Sequence, residues 1–336
     1  MGSKVSGEEA AWLGLESLWA QTAGNPEICI AVLDGPVDRA HPCFEGAQLS
    51  QVETLASGVA QEGAASRHGT HVASVIFGQH GTSVRGIAPG CRGLIVPVFA
   101  DQKDGSIMPS SQLDLARAIT QAVDHGAHVI NISGGELTPS GEAEPFLAQA
   151  IQRCADENVL IVAAVGNNGC ECLHVPAAAP SVLAVGAMDK EEKPLGFSNW
   201  GSAYQAQGIL APGEEILGAV PSGDTARQSG TSFATPVVSG IVALLLSVQV
   251  ANGEAPDPAA VRAALLESAH PCDPQEASDC SRFLVGTLNI AGAYERITRG
   301  RKEAQKKLAL NEVENLDEDV QRMGLAPASV PSASLL

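Results

Sequence analysis

Five short apolar runs without polar alternation constrain this chain more than any other feature. They are Ile28 to Leu33 (ICIAVL), Gly93 to Phe99 (GLIVPVF), His128 to Ile132 (HVINI), Val159 to Val165 (VLIVAAV) and Val182 to Ala187 (VLAVGA). A strand wetted on one face alternates apolar and polar residues, whereas a strand covered by helices on both faces reads as a continuous β-branched run. Segments of helical length separate the runs. Ser111 to His125 opens on Ser-x-x-Asp (Ser111, Asp114), sets Leu115, Ile119 and Val123 at helical spacing and stops at Gly126. Glu142 to Glu157 reads as a second crossover helix. Glu8 to Gln21 carries Trp12, Leu15 and Trp19 on one face and reads as an amphipathic helix packed on the domain. The expected fold class is α/β: a mainly parallel twisted sheet with helices on both faces.

Composition bounds the partners. The formal net charge of −18 argues against nucleic acid as a partner, because phosphate binding needs a field of Lys and Arg that this chain lacks. The longest apolar stretch, Val237 to Val250, is interrupted by Ser239, Gly240, Ser247 and Gln249, so it reads as a buried helix rather than a membrane span. Met1 to Glu9 is polar and acidic, with no apolar signal core. A cytoplasmic protein is the expectation, with neither nucleic acid nor membrane as a partner. Eight cysteines in 336 residues are too sparse for a disulfide scaffold. Cys29 and Cys91 lie in or beside strand-like runs and read as small buried hydrophobes, while Cys272 and Cys280 flank a polar loop that a local bridge could close. The expected organisation is an N-terminal helical segment over 1–27, a main domain over 28–298, and a charged, helix-prone extension over 299–336 that ends in an Ala/Pro/Ser-rich tail.

Four segments place polar residues where strands end or helices begin, the edge at which open α/β sheets build their sites. Asp34 closes the first strand, and His68 opens a short helix in Arg67-His68-Gly69-Thr70-His71. Ser232 lies in Gly230-Thr231-Ser232-Phe233-Ala234-Thr235-Pro236 at the mouth of the buried helix, where the dipole favours developing negative charge; the proline suits a first turn. Asn167, in Val165-Gly166-Asn167-Asn168-Gly169, ends a strand with a side-chain amide able to donate to an oxyanion. Taken singly, these are a turn residue, a structural histidine, a cap and a turn amide. Together they run Asp, His, Ser along the chain with the amide before the serine, the order of one convergent form of the serine triad.

On those motifs, with Asn131-Ile132-Ser133-Gly134-Gly135 (NISGG) added, the chain resembles the subtilases from about Ile28 to Ala269. The resemblance implies a subtilisin-like three-layer fold and a serine endopeptidase without cofactor. In it Asp34 orients His68, His68 is the general base, Ser232 is the nucleophile and Asn167 joins the oxyanion hole, while His71 is structural. It also implies that Ser133, Gly134 and Gly135 pair with an extended peptide, and that His174, before Val175-Pro176, lines the pocket for the residue preceding the cut. A filled pocket favours a small residue there. Asp38 competes with Asp34 for the triad carboxylate, since Gly-Pro-Val-Asp replaces the commoner Thr/Ser-Gly after Asp34. Phe233 stands where relatives carry an oxidisable Met. Cys170, Cys172 and His174 are spaced for zinc, or Cys170 or Cys172 pairs with Cys154; no metal site is assigned.

The segments around Asp34, Gly86 to Phe99 and Cys170 to Asp189 resemble more narrowly the cyanobactin-maturation proteases, whose substrates are ribosomal precursor peptides. One branch cuts N-terminal to the core peptide by hydrolysis. The other cuts C-terminal to it and macrocyclises beneath a helical cap inserted between Asp and His. His68 follows Asp34 by 34 positions, too few for such a cap. Leader removal from an extended precursor peptide is the expected activity, with macrocyclisation or an inactive peptide-binding module as alternatives.

Overall fold

The computed structural model describes residues 14–56, 62–275 and 277–299. The front of the expected N-terminal helix and nearly all of the expected 299–336 extension lie outside these residues. The described part of that helix, Leu15–Trp19, buries Leu15 and Leu18, and Trp19 Nε1 donates to the Ile87 carbonyl at 2.7 Å.

Seven parallel strands form the central sheet: β1 (Cys29–Asp34), β2 (Leu49–Gln51), β3 (Arg92–Pro97), β4 (Val129–Ile132), β5 (Leu160–Ala164), β6 (Leu183–Met188) and β7 (Gly208–Pro212), in the spatial order β7-β6-β5-β4-β1-β3-β2. The five predicted runs lie within two residues of their strands. The chain starts at the centre on β1, goes out to the edge at β2, inserts β3 between them, then crosses past β1 to lay down β4 through β7. β1 is therefore the switch point, and its carboxyl end, Asp34, opens into the crevice where such sheets bind ligands.

Both faces of the sheet are covered, which explains the unalternating strands. Ile28, Ile30 and Val32 join one core with helices α1 (Ala64–Phe77) and α4 (Thr231–Ala251). Cys29, Ala31 and Leu33 join the other, beneath α2 (Gln112–Asp124) and α3 (Pro145–Asp156). Ser111 caps α2 by accepting the Asp114 N–H at 3.1 Å, as its position predicts. α4 is apolar and long enough by composition to cross a membrane, yet 94% of its most hydropathic window is buried inside the protein. Pro236 differs from expectation: it is the sixth helical residue, past the first turn. Its missing N–H removes the donor that would otherwise bond the Ser232 carbonyl.

Edge strand β2 was not expected from the sequence, and neither were two larger additions. β7 is five residues long and ends in Pro212, and an antiparallel hairpin, Ile216–Val220 with Asp224–Gln228, lies over α1.

Candidate active site

Close backbone approach creates the first half of the site. A Cβ on Gly69 would overlap the Gly35 carbonyl oxygen, and one on Gly35 would overlap the Ala65 carbonyl oxygen. Two glycines thus let the end of β1 press against the first turns of α1. Asp34 is buried there. Its Oδ1 accepts the Gly35 N–H and the His68 Nδ1–H, each at 2.7 Å. A carboxylate only accepts, so Nδ1 carries the proton and the neutral ring keeps its lone pair on Nε2. Burial alone would push the His68 imidazole down, but the charge and hydrogen bond of Asp34 outweigh it and hold the pKa above the usual histidine value. The Asp34 Oδ2 has no donor among the described residues.

The free N–H groups at the start of α1 are satisfied by residues far along the chain, a device the sequence did not reveal. Ala64 N–H donates to the Gly105 carbonyl at 3.1 Å, and Asp101 accepts the Ala65 N–H at 2.7 Å and the Ser66 hydroxyl at 2.5 Å. These acceptors come from the loop after β3, whose Val98 and Phe99 N–H groups also bond the Asp34 carbonyl. The strand end and the helix start are thereby clamped by one segment.

The second half comes from β5 and α4. Asn167 follows β5, and its Oδ1 accepts both the Thr231 N–H at 2.9 Å and the Thr231 hydroxyl at 3.1 Å. Two donors on one oxygen settle the amide orientation and leave Nδ2, which lies near Gly230, without a hydrogen-bond partner among the described residues. Ser232, half-buried at the second position of α4, makes no side-chain hydrogen bond among the described residues. The Phe233 ring that follows it packs 5.3 Å from the His68 ring, which brings the start of α4 against the histidine. Asp34, His68, Asn167 and Ser232 thus converge on one edge of the sheet. Asp38 does not: its carboxylate accepts the Ala40 N–H at 3.2 Å and the Ser222 N–H at 3.3 Å, away from His68.

Beside this cluster, Ser133, Gly134 and Gly135 leave β4 as open backbone outside any strand. A Cβ on Gly134 would stand 3.1 Å from the Phe99 ring, and one on Gly135 would stand 2.8 Å from the Val175 carbonyl. His174 and the cis Val175–Pro176 bond form the facing wall. The His174 ring sits between the positions that Cβ atoms on Gly135 and Gly166 would take. Its Nε2 donates to Asn168 Oδ1 at 2.9 Å, and burial lowers its pKa.

The cysteines require one correction. Cys170 is bonded to Cys172, which removes the thiolates a zinc site would need, and Cys154 is a buried free thiol whose pKa burial pushes up to about 12. The two oxidised partners are too near in sequence to be suspected from spacing alone. Cys272 and Cys280 form the local bridge their flanking loop suggested.

A parallel sheet of this order with Asp, His and Ser at its carboxyl edge is the architecture of one class of serine endopeptidase. The subtilase family model matches residues 25–312, and the chain belongs to the subtilase family. Within that family its likeness is to cyanobactin-maturation proteases. The solved prenylagaramide maturation protease PagA is 60% identical, with a TM-score of 0.79 over 85% of this chain and 98% of its own. The PatG macrocyclase in complex with peptide is 40% identical, with a TM-score of 0.78 over 84% of this chain and 95% of its own. The thermophilic serine proteinase of Bacillus sp. (strain AK1) is 34% identical over 231 residues, 68% of this chain and 54% of that protein. The chain spans about half the length of that curated relative.

Proposed function

We propose that this protein hydrolyses a ribosomal precursor peptide, removing the leader N-terminal to a cyanobactin-type core. The observation that carries the catalytic part is the pairing of a buried carboxylate with the imidazole of His68 at the edge where Ser232 and the oriented Asn167 amide meet. His68 Nε2 takes the proton of Ser232 Oγ as it attacks the scissile carbonyl, and Asp34 stabilises the imidazolium that forms. The Asn167 Nδ2 and Ser232 backbone N–H groups receive the oxyanion. His68 then protonates the leaving amine, and a water activated by the same imidazole releases the acyl-enzyme. The substrate lies extended along Ser133, Gly134 and Gly135 as an added strand.

Hydrolysis rather than ring closure is supported by the short path from Asp34 to His68. Among the described residues it holds only a 3₁₀ turn, Pro42–Phe44, and the three-residue β2 before α1. A small residue before the cut follows from the imidazole of His174 between Gly135 and Gly166. The proposed location is the cytoplasm, which cell fractionation checks. The functional test is incubation of wild type and Ser232→Ala with candidate precursor peptides, read by mass. The expected result is a linear core from wild type alone. A product lighter by one water would establish the macrocyclase reading, and no cleavage of any flexible peptide would sink the endopeptidase.

A further inference from the structure

The run HVINI places one polar side chain, Asn131, in the middle of the sheet. Its neighbours Ile130 and Ile132 face α2 and α3, so Asn131 points with Val129 to the opposite side, toward α4. It is wholly buried there, where an unpaired amide would cost several kcal/mol. It is paired at both ends. Ser239 of α4 donates its hydroxyl to Asn131 Oδ1 at 2.9 Å, and Asn131 Nδ2 donates to the Ser133 hydroxyl at 3.0 Å. Ser239 and Ser133 are themselves buried.

The two partners belong to the two halves of the reaction. Ser239 lies seven residues after Ser232, two helical turns along the same face and roughly 10 Å away by the helical rise. Ser133 is the first residue of the open backbone along which the proposed substrate lies. Asn131 thus joins the helix carrying the nucleophile to the backbone that sets the register of the scissile bond. Parallel strands are tied to one another by their ladder, but a strand and a helix packed face to face are held only by side chains. An apolar residue at 131 would keep the packing and lose the tie.

We propose that Asn131 is a positioning residue that keeps the substrate strand in register with Ser232 through the Ser133–Asn131–Ser239 chain; this rests on the endopeptidase reading above. A misplacement of about 1 Å between reacting groups costs on the order of 10²-fold in rate. Asn131→Leu and the milder Ser239→Ala are compared with wild type in three measurements: kcat and KM on an extended peptide, the rate of labelling by a small fluorophosphonate, and melting temperature.

The expected result is a kcat/KM loss of about 10- to 100-fold for Asn131→Leu on the extended peptide, carried mainly by kcat, while the labelling rate stays near wild type. Fluorophosphonate needs the triad and not the strand, so the two substrates separate register from catalytic competence. In the double variant, Ser239→Ala adds little to Asn131→Leu, since both break one chain. Equal losses on peptide and fluorophosphonate, or additive losses in the double variant, would overturn the proposal. Should Asn131→Leu not fold, Ser239→Ala alone decides, since a lower melting temperature without selective loss on the peptide marks a purely structural bond. Wild type that takes no label overturns the endopeptidase reading and this proposal with it, whereas labelled wild type with variants indistinguishable on peptide overturns this proposal alone.

Discussion

His68 and His71 stand three residues apart on α1 and carry opposite protons. His68 turns to the end of β1, with 22% of its side chain exposed, and the Asp34 carboxylate holds its pKa above the ordinary value. His71 turns to the wall made by the 216–228 hairpin, where Nε2 lies 3.1 Å from the Ile216 carbonyl and 3.2 Å from the Ala226 carbonyl. Burial there lowers its pKa to about 4, so the ring is a neutral donor at physiological pH. A Cβ on Gly218 would stand 2.5 Å from that ring, and Phe233 meets it edge-on at 4.6 Å. One side chain type on one helix pairs with a carboxylate on one face, as the proposed base requires, and is a packed strut on the other. What separates them is a carboxylate on one side and two carbonyls on the other.

The contrast breaks most sharply under alanine. Ser232→Ala or His68→Ala lowers kcat by about 10⁶-fold with the melting temperature little changed, read by peptide hydrolysis and calorimetry. His71→Ala does the reverse: it removes the Nε2 contact with two hairpin carbonyls, leaves a cavity beside Phe233, and lowers stability by roughly 2–4 kcal/mol. Next in size, Asp34→Asn costs about 10⁴-fold in kcat, while Asp38→Asn, which changes a group bonded to the Ala40 and Ser222 backbone and not to His68, leaves it unchanged. Catalysis needs His68 neutral, so kcat/KM rises with pH through the raised His68 pKa and its acid limb lies above the ordinary ~6.5. In Asp34→Asn the residual activity has its limb at lower pH, which makes His68 behave more like His71. Asn167→Leu removes one oxyanion donor and costs about 10²–10³-fold in kcat with KM nearly constant.

How far the sequence reached follows the same division between local and distant causes. Buried parallel strands and capped helices are written in short windows, so β1, β3, β4, β5, β6, α2 and α3 were legible within a few residues. Asp34, His68, Ser232 and Asn167 could be singled out, and are brought to one edge of the sheet, because each sits in a short motif at a strand or helix end. Groups acting across the fold left no local signal. Asp101 bonds α1 from 36 positions away, and Ser239 reaches Asn131 across 108. Asp34 is favoured over Asp38 from the sequence, and the geometry that separates them is not local: Asp34 ends β1 with its carboxylate on His68, while Asp38, four residues on, turns to the Ala40 and Ser222 backbone. Asn131 was read as part of a motif, yet a polar letter in an apolar strand says only that a partner exists.

The smallest expected effect sharpens the comparison through stability rather than rate. His71 has a folded pKa of about 4 against ~6.5 in the unfolded chain, so between these values the unfolded state binds more protons and stability rises with pH. The contribution is fully present above ~6.5 and is lost as pH falls toward 4, roughly 3 kcal/mol at most. His68 has the opposite sign. Its folded pKa is raised, so its contribution is fully present below the unfolded value and is lost as pH rises through the folded one. Replacing His71 with Gln removes the first slope and leaves the second. Melting temperatures of wild type and His71→Gln between pH 4.5 and 7 should therefore converge on acidification, with wild type gaining its advantage as the pH approaches neutrality. A constant gap across that range would mean that the His71 ring keeps its proton when folded, and that the hairpin wall tolerates a charge.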